Sequence, residues 1–214
     1  MSKLITKKLD AYRALIVNSR NEELAPLLAA HGIDAAFLDE GDTILRDTMQ
    51  LMEVQKKEYQ DEREAFDTFY ATKDQVEQNF INTREAVKQL SKNNPDLQDR
   101  LRFSPMSKLP HGDWIQAGVE FYDSLLRETA FSERLARFNI TVDRLNREKQ
   151  ELEALRGLRA RTLVEKGQAQ EATRLRNQKL EELEDYCSLL KTMASIALQG
   201  RPQLMETLGV MVRS

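Results

Sequence analysis

Two long runs without proline constrain this chain more than any other feature. About 58 residues separate His31-Gly32-Ile33-Asp34 from Asn93-Asn94-Pro95, and a run of the same length separates Phe138-Asn139-Ile140-Thr141 from Gly200-Arg201-Pro202. The opening punctuation has a shared mechanism. Gly and Asn tolerate the left-handed conformation just past a helix end, and the next residue is apolar in both, as the hydrophobic contact of such a C-cap requires. Asp34 and Thr141 can then cap the following helix. At the far end, proline after Asn94 and after Arg201 stops helix continuation. Each run is therefore either one very long helix or a helical hairpin.

In the first run a single heptad frame favours the long helix. Leu38, Leu45, Met52, Tyr59, Phe66, Lys73, Phe80 and Val87 fall on one register, with Gly41, Thr48, Gln55, Glu62, Phe69, Val76, Thr83 and Leu90 on its partner. The stretch VQKKEYQDEREAF, where a hairpin would have to turn, has no Gly, Pro, Asn or Ser. One helix of roughly 85 Å is expected at ~1.5 Å per residue. In the second run Leu145, Leu152, Leu155, Leu180, Leu183, Cys187 and Leu190 keep the frame, but the centre is polar and Gly167 could end a helix. A hairpin there would make an up-down bundle instead.

The two runs sit 107 residues apart, and the offset extends beyond them. Between 28–101 and 135–208 there are 13 identities in 74 pairs, including Leu28/Leu135, Ile33/Ile140, Leu45/Leu152 and Ala65/Ala172. PDLQDRL (95–101) and PQLMETL (202–208) match at the same offset. A shift of 101, which pairs Ala71-Thr72-Lys73 with Ala172-Thr173-Arg174, would need a compensating gap and ranks second. The expected fold is all-α: an elongated helical bundle built from a tandem duplication, with two long antiparallel helices, about 34–92 and 141–199, flanked by shorter ones. Repeat 1 spans 1–102, an inter-repeat loop 103–113 and repeat 2 114–214, both packed as one domain. Shorter helices within 3–30, broken near Asn18-Ser19 with Pro26 in the first turns of the next piece, cover one end. Residues 114–138 do the same for the other.

The centres of the runs carry opposite charge. Residues 49–72 hold three basic and six acidic side chains, whereas 156–179 hold seven basic and two acidic ones. Facing one another in an antiparallel pair, they would set register more than stability. That expectation competes with a nucleic-acid surface for RGLRARTLVEKGQAQEATRLRNQK, since arginines three to four apart can follow phosphates. Pairing is favoured because the rest of the chain is acidic and no aromatic residue in the stretch offers stacking. The overall charge of −3 adds no pull toward nucleic acid.

Chemistry-bearing residues are few. Cys187 is the only cysteine, so no intrachain disulfide forms; it lies on the apolar frame, reads as a buried thiol, and a reducing, cytoplasmic setting is expected. His31 belongs to a helix end, where it complements the dipole. The weak loop candidate is His111, Asp113 and Trp114, although Asp113 more simply caps the next helix. One cysteine and two distant histidines cannot assemble a zinc site from Cys and His, and no Glu-x-x-His pair supports a di-iron bundle. No GxxxxGK[ST], GxGxxG or GxSxG occurs. No cofactor or metal is expected.

The expected function is non-enzymatic: a binding or scaffolding module that offers helix grooves to a protein partner or to a second copy of itself. An alternative is membrane interaction through the apolar stretches 186–198 and 204–212, which also fit core positions. The start of the chain has no apolar segment typical of a secretory signal, and no run is long enough to span a bilayer. An enzyme ranks third, with the 103–116 loop as its pocket rim.

Overall fold

The computed structural model describes residues 3–103, 106, 108–201 and 203–210. Only helices occur among them: α1 Lys3–Asn18, α2 Ala25–Ala29, α3 Ala35–Leu90, α4 Pro95–Leu101, α5 His111–Arg127, α6 Thr129–Ala136, α7 Val142–Ala197 and α8 Leu204–Thr207. The protein is an all-α bundle in which the long helices α3 and α7 pack against each other.

Both long helices run 56 residues, and their bounds differ by 107 at each end. Their entries are built alike. Gly32 and Asn139 both take positive φ, +83° and +59°. The amides of Ile33 and Ile140 donate back to Leu28 and Leu135 across the closed helix end, and both isoleucines are buried. Asp34 Oδ1 accepts from the Phe37 amide at 2.9 Å and Thr141 Oγ1 from Arg144 at 3.2 Å, which satisfies first-turn donors. After α3, Asn94 Oδ1 caps α4 through the Leu97 amide, and Leu97 and Leu101 turn into the core. Pro202, the matching stop after α7, lies outside the described residues. Gly167 interrupts nothing: α7 passes through it, and a Cβ there would meet no atom within 4 Å.

The chain forms two compact units. Unit 1 takes the chain up to Tyr59 and from Gln168 onward. Its core joins Tyr12, Leu15 and Ile16 of α1 to Leu38, Leu45 and Met52 of α3, and to Leu183, Cys187 and Leu190 of α7. Met205 and Leu208 close over this core, while positions 211–212 of the apolar C-terminal stretch lie outside the described residues. Within unit 1 the α3 and α7 segments run antiparallel. Tyr186 Oη donates to the Phe37 carbonyl at 2.8 Å, Thr48 Oγ1 to that of Lys179 at 3.3 Å, and Gln55 Nε2 to Thr173 Oγ1 at 3.0 Å. Gly41 lets the helices approach: a Cβ there would sit 2.5 Å from the Tyr186 ring.

Unit 2 comprises Gln60–Gly167. Phe80 sits at its centre, edge-on to Trp114, Phe121 and Tyr122 of α5 at 5.6–5.8 Å. Val87, Leu125, Leu135, Leu145 and Leu152 complete the core, again with antiparallel α3 and α7 segments.

Three expectations need correction. The heptad frame of α3 is interrupted at its centre, where Tyr59 is half exposed and Phe66 only partly covered while Ala65 is buried, and Phe69, Val76, Phe80, Thr83 and Val87 then keep it to the far end. Between Met52 and Phe69 the buried seam passes through Ala65, and from Phe69 onward it returns to the frame. Among the described residues the opposite central charges do not pair with one another across the helices, although Lys179 reaches Asp47 of α3 at 3.9 Å. Among the described residues, no ion pair joins 49–59 to 168–179 within unit 1, or 60–72 to 156–167 within unit 2. Lys56 instead pairs with Glu53, Arg161 with Glu165 and Arg174 with Glu171, each within its own helix. Partners three or four residues apart already lie side by side on a helix surface. Asp113, finally, is not an N-cap. The helix starts two residues earlier behind Pro110, which serves as cap without a side-chain bond, and Asp113 stands in the first turn.

Candidate functional site

Unit 2 contains an open pocket of about 420 Å³. Three elements build it. The C-terminal part of α3 supplies Arg84, the end of α4 supplies Leu101 and Arg102, and one face of α5 supplies Ala117, Phe121, Ser124 and Arg127. Met106 and Leu109, from the segment before α5, close one side. The floor is apolar and the rim carries three guanidinium groups. Arg84 stacks over the Phe103 ring at 5.4 Å, and burial pushes its pKa below the ordinary value. Arg102 has positive φ, +48°, just past α4. Arg127 ends α5.

The carboxylates around the pocket are largely engaged. Glu128 takes Arg100 through two hydrogen bonds, 2.7 and 3.1 Å, and Asp123 takes Lys149 at 2.6 Å. Glu120, also on the pocket wall, accepts from the Gln116 amide at 2.7 Å.

A second polar constellation lies in the core of unit 2. Glu148 is only 5% exposed. Its Oε2 accepts from Thr83 and from Tyr122, both at 2.7 Å, and its Oε1 accepts from Arg144 Nε at 2.7 Å. Burial and the Glu148 charge both push the Tyr122 phenol upward, which keeps it a proton donor. All four groups are matched, so the cluster ties α3, α5 and α7 together.

The loop candidates do not converge on a site. His111 packs edge-on to Phe69 and Tyr70 at 5.5 and 5.9 Å. Trp114 is buried against Phe80 with Lys73 5.2 Å from its ring centre, and Asp113 is exposed. None of the three lines the pocket, although the same segment does through Met106 and Leu109. His31 is exposed at the end of α2, its Nδ1 3.2 Å from the Leu27 carbonyl. Cys187 is fully buried and its thiol is pushed up to about 11 by desolvation, which disfavours the reactive thiolate. Among the described residues no group of three or more His, Cys, Asp or Glu is placed to hold a metal ion, and no helix is long and apolar enough to cross a membrane.

Sequence reasoning missed Arg84, Arg102, Arg127 and Glu148. The 107-residue offset carried the signal for two of them. Arg127 corresponds to Arg20, which in unit 1 holds Asp39 and Asp42 at 2.8 and 2.7 Å. The positions matching those aspartates are Asn146 and Lys149, so Arg127 lacks these partners. Glu148 corresponds to Gly41, Tyr122 to Leu15, Thr83 to Leu190 and Arg144 to Phe37. The fold and pocket define a class, an all-α two-unit bundle with an arginine-rimmed cavity. Neither a protein family, nor a curated protein, nor a solved structure matches the chain significantly.

Proposed function

We propose that this chain is a non-enzymatic binding or scaffolding module that engages a protein partner or a second copy of itself through helix grooves. The observation that supports this is an open apolar groove of about 320 Å³ between α1 and α3 in unit 1. Leu9, Met49 and Met52 form its floor, and Thr6, Asp10, Arg13 and Glu53 stand along its edges. Arg13 Nη2 rests on the Met49 sulfur at 2.9 Å. Flexible, polarizable methionines adapt to the apolar face of an incoming amphipathic helix, and the mixed charges at the edge suit its polar flanks.

Solution mass and chemical cross-linking of the wild type and of Met49→Glu test the reading. A self-associated or partner-bound species that the wild type forms and Met49→Glu loses, at equal helical content, is the expected result. Identical species in both proteins would remove the groove from the account.

A second reading, contact with a membrane surface, is favoured by Leu189 and Ile196. They are about half exposed and seven residues apart on α7. Dye leakage from liposomes that falls with Leu189→Lys would support it. A tandem duplication is supported by the equal long helices and by their matched left-handed entries at the same offset. A cytoplasmic setting is supported by Cys187, a buried free thiol.

A further inference from the structure

We infer that the unit 2 pocket is a binding site for a small soluble organic anion with an apolar body, such as a medium-chain carboxylate, held head-first among Arg84, Arg102 and Arg127. This inference is independent of the unit 1 groove.

The pocket combines the two requirements of such a ligand. Leu101, Phe121, Ala117 and Met106 provide an apolar floor, and its volume of about 420 Å³ falls within the range of small-molecule sites. The rim is basic. Arg102 and Arg127 make no ion pair among the described residues, because neighbouring Glu128 is committed to Arg100 and Asp123 to Lys149. The Ser124 hydroxyl adds a neutral donor beside Arg127. The one wall carboxylate without a basic partner, Glu120, works against an anion. The guanidinium groups of Arg102 and Arg127, which make no ion pair among the described residues, outweigh it.

Comparison between the units isolates the feature. In unit 1 the residue matching Arg127, Arg20, is already neutralised by two aspartates, and the match to Phe121 is Ala14. Unit 2 has lost the internal anion and gained an aromatic floor. Its positive rim is therefore available to an anion from outside the chain.

The test uses anilinonaphthalene sulfonate, a fluorescent aromatic anion, on the intact protein. Binding of one equivalent to this pocket, displaced by decanoate, is expected. Arg127→Glu or Ser124→Glu should weaken it about tenfold, with the loss shrinking as salt rises. Arg127→Lys, which keeps the charge, should remain within about threefold of the wild type. Arg127 is exposed, so circular dichroism of these variants should match the wild type. Unchanged dye affinity in both glutamate variants, or no displacement by decanoate, overturns the proposal. Vesicles of phosphatidylcholine and phosphatidylserine separate a soluble ligand from a lipid headgroup. Absence of co-sedimentation is expected, and Arg127-dependent co-sedimentation would overturn the soluble assignment.

Discussion

Glu148 and Gly41 occupy matching positions 107 residues apart, yet they solve the same packing problem in opposite ways. At Gly41 the missing side chain admits the Tyr186 ring, whose hydroxyl is satisfied by the Phe37 carbonyl. At Glu148 a buried carboxylate takes up the hydroxyls of Thr83 and Tyr122 and the guanidinium of Arg144. An apolar core tolerates several arrangements of similar energy, whereas a matched polar cluster is satisfied in only one. Glu148→Gln keeps the shape but puts an NH2 donor in place of one carboxylate oxygen, so either Arg144 or the Thr83 and Tyr122 hydroxyls lose the acceptor they share. A loss of about 2 kcal/mol in urea denaturation is expected. A loss below about 0.5 kcal/mol would mean the cluster contributes little to stability.

At the scale of the helix, glycine position decides the sign of a substitution. Gly167→Ala places a methyl in open space on α7 and should stabilise the protein by about 0.5–1 kcal/mol through helix propensity alone. Gly41→Ala has the same propensity gain but drives its methyl into the Tyr186 ring, and should destabilise by about 1–2 kcal/mol net. Thermal melting of the two variants separates them, and equal shifts would contradict the close approach at Gly41. The ends of the helices were legible in the sequence because caps are local. Gly32, Asn139, Asp34, Thr141 and Asn94 act within a few residues of themselves. The middle of α3 was less legible, because Ala65 turns inward in place of Phe66 between two stretches that keep the frame, and no local residue marks that exchange. Ion pairing was misread for a related reason. Arg161 and Arg174 find carboxylates one turn away before any on the neighbouring helix. The pocket was legible only at its edge, where Met106 and Leu109 of the 103–116 segment line it, since Arg84, Arg102 and Arg127 come from three separate elements.

For the molecule as a whole, the decisive fact is that each compact unit draws on both long helices. Unit 1 packs the first part of α3 against the last part of α7, and unit 2 packs the remainder of each. Such cores join residues far apart in sequence, as Gln55 with Thr173 and Thr83 with Glu148 show. They require both helices to continue through polar centres that bury, besides Met52 and Phe69, the small side chains of Ala65, Thr162, Ala169 and Ala172. Small buried side chains let backbones approach where large ones would hold them apart. A hairpin at Gly167 would instead fold the second run on itself and separate Leu145 and Leu152 from the residues they now meet. The direct test is the ¹³Cα secondary chemical shifts across residues 160–174, read by nuclear magnetic resonance. An unbroken series of positive, helical shifts through Gly167 is predicted; values near zero or negative at residues 166–169 would place a turn there and contradict the continuous helix on which both units depend.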